Sequence, residues 1–204
     1  MKKTLQTALA VMGWLTVIAQ FFLMLGNRSA SIAESIARFF SYFTILTNII
    51  VALYFTIQLT VESRRRRRAF GILNNLTAIT VYITVVGLVY QVALRHTWHP
   101  TGFQMVVDEM LHTVIPLAVI FYWHTYERVS KLKWEAIPKA LIYPLAYLIF
   151  VLWRGGVSRF YPYPFIDVQK LGWDQTFKNI SALFGLFLFL FVGFIGFGKF
   201  TKSR

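Results

Sequence analysis

Apolar residues dominate six stretches of the chain, at about 4–25, 39–61, 71–94, 105–123, 136–153 and 175–197. Each is close to the ~20 residues that an α-helix needs to cross the hydrocarbon core of a bilayer. The first stretch follows Lys2 and Lys3 and is too long for the ~7–15-residue apolar region of a signal peptide, so it reads as a helix. The pattern predicts an all-α integral membrane protein: one domain, a bundle of six transmembrane helices over residues 1–204. Neither a linker nor an internal repeat divides it.

Two stretches break the apolar rule. The second carries Ser41, Thr44, Thr47 and Asn48 at helical spacing, which lines them up as a polar stripe. The fourth, QMVVDEMLHTVIPLAVIFYW, carries Asp108, Glu109 and His112. Ionisable groups inside a membrane cost a few kcal/mol each at mid-depth, and they mark function more often than packing. Asp108 lies four residues before His112 and Glu109 three before it, so either carboxylate reaches the imidazole along a helix.

Composition agrees with a bilayer as solvent: 57% of residues are hydrophobic and 14% charged, against ~45–50% and ~25% in soluble domains. The absence of Cys excludes disulfides, thiol nucleophiles and Cys-ligated zinc. The net charge of +13 belongs to loops beside anionic headgroups, since no nucleic-acid-binding motif accompanies it. With six spans both termini share a side. That side holds fourteen of the 21 Lys and Arg residues, including the run Arg64 to Arg68. The positive-inside bias therefore predicts cytoplasmic termini, with Arg64–Arg68 as a topology anchor against anionic lipid.

On that topology the second and fourth helices both enter from the outer face. At ~1.5 Å per residue, Thr44 lies about 8 Å, Thr47 about 12 Å and His112 about 11 Å below the starts of their helices. A hydroxyl and an imidazole away from water suit acyl transfer: His takes the proton of Thr, a carboxylate orients the ring, and Asn48 or a backbone N–H stabilises the oxyanion. Thr44 and Thr47 both qualify as nucleophile, and Asp108 and Glu109 both qualify as the orienting carboxylate. Ser41, Gln91, Thr113, Tyr161 and Tyr163 are candidates for the substrate pocket. The last outer loop, RFYPYPFIDV, is read equally as an interfacial aromatic anchor or as a lid over the site. Pro116 is expected to kink the fourth helix below His112.

Three other readings compete. A metal site would draw on His96, His99, Asp108, Glu109 and His112, but HTWH is a weak spacing signal and neither HExxH nor HxxEH occurs. A proton-coupled transporter would need polar residues continuing across the membrane, and the fourth helix beyond Thr113 is almost wholly apolar. A membrane scaffold would use the polar groups for packing alone.

The ordered set SYFTILTN, DEMLHTVIPL and YPYPF resembles the androgen-inducible intramembrane hydrolases and their bacterial six-helix relatives, over nearly the whole chain. The resemblance implies a cofactor-free threonine hydrolase of fatty-acid esters of hydroxy fatty acids, drawing a lipid substrate from a bacterial inner membrane. It implies Thr44 as nucleophile and His112 as base. The family's Asn follows its Thr by three residues, whereas Asn48 follows Thr44 by four and Thr47 by one, so both threonines stay open.

Overall fold

The computed structural model describes residues 1–63, 65–66, 69–97, 99–128 and 133–202. Arg64, Arg67, Arg68, Trp98 and Lys131 lie outside them, so of the Arg64–Arg68 run only Arg65 and Arg66 are placed, both exposed. The described residues are helical with no strand, and six helices are long and apolar enough to cross a membrane.

The elements are α1 (Lys2–Gly26), α2 (Ile32–Phe39), α3 (Phe43–Thr60), α4 (Leu76–Val89), α5 (Gly102–Glu109), α6 (Ile115–Tyr126), α7 (Ile137–Ser158) and α8 (Val168–Lys202). The third span runs on from α4 through Tyr90–Leu94 and Arg95–Thr97, and the fourth joins α5 to α6 through Met110–Val114. α4 is the hub. Every residue from Leu76 to Gly87 is buried, as expected of a helix that is apolar all round. α7 and α8 form the periphery and show large apolar side chains outward, among them Ile149, Phe177 and Phe189. In a bilayer these face lipid, so their exposure carries no penalty.

Small residues set the closest approaches. A Cβ on Gly13 would stand 3.0 Å from the Cβ of Ala52, so α1 and α3 meet there almost backbone to backbone. Gly87 of α4 sits against the carbonyl of His112 and the ring of Pro116, where a Cβ would come within 3.1 and 3.3 Å.

Several boundaries differ from the expected ones, and two matter. The second span does not begin at about residue 39. Ser31 caps a separate short helix, α2, by accepting the Glu34 N–H. A turn through Phe40–Tyr42 then precedes α3, in which Ser41 Oγ donates to the Ala37 carbonyl. Thr44 therefore stands in the first turn of α3 rather than about 8 Å down it, and Ser41 falls outside the helix. The fourth span begins earlier than expected, at Gly102. Equal depth of Thr44 and His112 thus does not follow from helical rise; a shared cavity brings them together instead. At the chain's other end α8 starts at Val168, ahead of the expected 175, and is interrupted at Gly172, whose φ of +72° suits glycine.

Candidate functional site

At the bundle end that holds residues 27–42, 95–97 and 159–167 lies an open cavity of about 460 Å³. Its wall includes Thr44, Asp108, His112, Tyr90 and Tyr163. Gln20 and Gln104 share a 2.8 Å hydrogen bond on the α1 side. Pro162, Tyr163 and Pro164 of the last outer loop are part of the wall.

His112 is held on one edge. Its Nδ1 lies 2.9 Å from the Asp108 carbonyl and 3.3 Å from Asp108 Oδ1. The Tyr90 hydroxyl donates to Asp108 Oδ2. The Tyr90 ring stacks on the imidazole, with 4.0 Å between centroids and 12° between planes. Asp108 is only 6% exposed, yet both its oxygens are engaged. With Nδ1–H turned to Asp108, Nε2 carries the lone pair, and no described group hydrogen-bonds it. Glu109 points elsewhere: it pairs with Arg95 and accepts from Thr113 Oγ at 2.7 Å. Asp108 is therefore the carboxylate at the ring.

This geometry depends on two π turns. The Arg95 N–H reaches back five residues to the Tyr90 carbonyl, and the Ile115 N–H reaches the Met110 carbonyl. Such single turns arise where a residue is accommodated within an otherwise α-helical segment, and they recur at functional sites. Pro116 lacks the N–H that would bond the His112 carbonyl, which explains a departure from α geometry at this point. Asn48 ties the altered turn to α3. Its Nδ2 donates to the Thr44 carbonyl at 2.9 Å and towards that of Leu111 at 3.4 Å. Committed in this way, Asn48 is not an oxyanion donor. Its Oδ1 is fully enclosed and has no hydrogen-bond partner among the described residues.

Thr44 is 7% exposed and sits at the N-terminal turn of α3. Its N–H donates to the Tyr163 hydroxyl at 3.2 Å, and its Oγ lies 3.4 Å from the same oxygen. Burial pushes the Tyr163 hydroxyl up to about 12, so it keeps its proton at neutral pH. Thr47 differs: it has no exposure, bonds the Tyr143 hydroxyl at 3.0 Å and lines no described cavity.

Of the five expected pocket residues only Tyr163 lines this cavity. Ser41 is fully buried, and its carbonyl accepts from Tyr147. Gln91 and Thr113 bond each other in the Arg95–Glu109 network. Tyr161 packs against Gly155, where a Cβ would collide with its ring at 2.1 Å. The competing metal reading gains no support, since no three His, Asp or Glu side chains converge among the described residues. Tyr90 was not legible from sequence: its role depends on a π turn that hydrophobic periodicity does not encode.

A second, narrower cavity of about 70 Å³ lies between α3, α4, α7 and α8 and is walled by hydrocarbon and aromatic rings, among them Phe43, Val86, Leu148 and Leu183. Thr44, Leu94 and Tyr163 alone belong to the walls of both cavities. No family model, no curated protein and no solved structure matches the chain.

Proposed function

We propose that the protein is an intramembrane hydrolase of lipid esters, with Thr44 as nucleophile and His112 as general base. One observation carries the reading. An Asp-oriented imidazole with a free Nε2 and a buried threonine hydroxyl line the same cavity, at the end of an otherwise apolar bundle.

The chemistry follows from the positions. His112 Nε2 takes the Thr44 hydroxyl proton as Oγ adds to the ester carbonyl. The imidazolium is stabilised by Asp108. The oxyanion forms beside the first turn of α3, where the positive end of the helix dipole favours negative charge. The Tyr163 hydroxyl already accepts from the Thr44 N–H, so its own proton is available to the oxyanion. The intermediate collapses with cleavage of the alkoxy C–O bond, and His112 returns its proton to the leaving alcohol. Water then attacks the acyl-threonine ester, with His112 again taking and returning a proton. The products are a carboxylic acid, the alcohol and free Thr44. Thr44 is favoured over Thr47 because Thr47 is tied to Tyr143 away from the cavity.

The fatty-acid esters suggested by the resemblance fit a site reached through lipid. The charge bias of the loops supports cytoplasmic termini and an outward-facing site, with Arg64–Arg68 against anionic headgroups; a bacterial inner membrane is what the resemblance implies. The test is turnover of a fluorogenic fatty-acid ester by purified protein. Thr44→Ala and His112→Ala are each expected to abolish it while the variants remain folded and monodisperse. Full activity in both variants sinks the reading.

A further inference from the structure

We propose that the narrow apolar cavity is the acyl subsite, built for a straight aliphatic chain, and that the wider cavity receives the alcohol limb. This rests on the hydrolase reading above and extends it to the orientation of the substrate.

Three observations fix that orientation. First, Thr44 and Tyr163 stand in the wall between the cavities, so a carbonyl at Thr44 Oγ has one cavity on either side. Second, His112 lines only the wider cavity. The group that returns a proton to the departing oxygen must sit beside it, so the alcohol limb lies on the His112 side and the acyl limb lies opposite. Third, the walls match those limbs. The wider cavity presents Gln20, Asn27, Thr97 and Gln104, which suit a limb bearing polar groups. The narrow one offers no polar side chain beyond Thr44 and two tyrosines, and the Tyr147 hydroxyl is already spent on the Ser41 carbonyl. At about 70 Å³ against about 460 Å³, it suits an unbranched chain, whereas the larger cavity tolerates bulk.

The experiment uses the full-length protein in nanodiscs with p-nitrophenyl acetate, butyrate and pivalate, and with methylumbelliferyl butyrate as the bulky-alcohol probe. Rates are corrected for alkaline hydrolysis. The wild type is expected to prefer butyrate over pivalate by at least about tenfold while accepting both alcohols. Leu183→Trp narrows the subsite and is expected to lower the butyrate-to-acetate ratio of kcat/KM by about tenfold. Leu188→Trp, on the outward face of the same helix, leaves that ratio unchanged. Ile180→Ala widens the same cavity and is expected to raise pivalate relative to butyrate; it decides the matter if Trp at 183 prevents folding. An unchanged acyl ratio in both cavity variants, in an enzyme that does cleave esters, overturns the subsite alone. A wild type that cleaves none of the esters overturns the hydrolase reading and the subsite with it.

Discussion

At the scale of single residues, the site combines groups whose partners constrain their chemistry. Asp108→Asn preserves shape but removes the negative charge 3.3 Å from His112 Nδ1 that would stabilise the imidazolium. A kcat loss of about 10²–10⁴ is expected, measured on the ester that the wild type turns over. Tyr163→Phe removes one hydroxyl from beside Thr44 Oγ and is expected to lower kcat by about 10²–10³ with little change in KM, the mark of a donor used in the transition state. Asn48→Ala leaves the Leu111 carbonyl without its side-chain donor, and a stability loss of about 1–3 kcal/mol is expected by denaturant titration in detergent. The sequence signalled this group unevenly. Asp108, Glu109 and His112 stood out because charge is costly among apolar residues. The choice between the two carboxylates did not, because positions three and four residues before the ring both lie within its reach and Arg95, which draws Glu109 away, is distant in sequence. Tyr90 carried no signal at all: an aromatic residue near a helix end is ordinary in a membrane protein.

Among the helices, the informative departures lie at their ends and in their irregular turns. Six apolar periods were enough to locate six spans. The break at Phe40–Tyr42 was hidden because α2 and α3 are both helical and the residues between them are apolar or small. That break puts Thr44 at a helix N-terminus, where the dipole favours an oxyanion. Gly87 explains how α4 approaches the turn carrying His112. Gly87→Val would drive a side chain against the His112 carbonyl and Pro116. The expected outcome is a loss of about 1–3 kcal/mol, read from denaturant unfolding, with reduced turnover. α2 is tied to α7 and to the loop that follows it. Glu34 bonds Arg38 at 2.8 Å and Arg154 at 3.0 Å, and both guanidinium groups lie over the Phe160 ring. The Arg38 hydrogen bond, joined by Arg154, holds the Glu34 carboxyl below its usual value. Because the folded-state value is depressed, this stabilisation is present above the unfolded carboxylate value and is lost as pH falls through the folded one. Glu34 is partly exposed, so the effect is small. Glu34→Gln is expected to flatten the acid limb of stability measured by thermal scans between neutral and acidic pH.

For the whole molecule, a central apolar helix packs against α3, α6 and α8, and one end is hollowed into two cavities that meet at Thr44. Spans five and six are the least buried, so the bundle presents much of its surface to lipid on the side where the narrow cavity lies. The orientation in the membrane rests on the charge bias of the loops. The chain has no Cys, so single-cysteine variants at positions 2 and 99 report sidedness without background. Labelling by an impermeant maleimide in intact cells is expected at position 99 and not at position 2. The central claim, that Thr44 is a nucleophile activated by His112, is tested most directly by treating the intact bilayer-embedded protein with an alkyl fluorophosphonate and mapping the adduct by mass spectrometry. One adduct is expected, on Thr44, absent from Thr44→Ala and strongly slowed in His112→Ala. An adduct on Thr47, or ester turnover that proceeds at full rate with Thr44 unmodified, would contradict it.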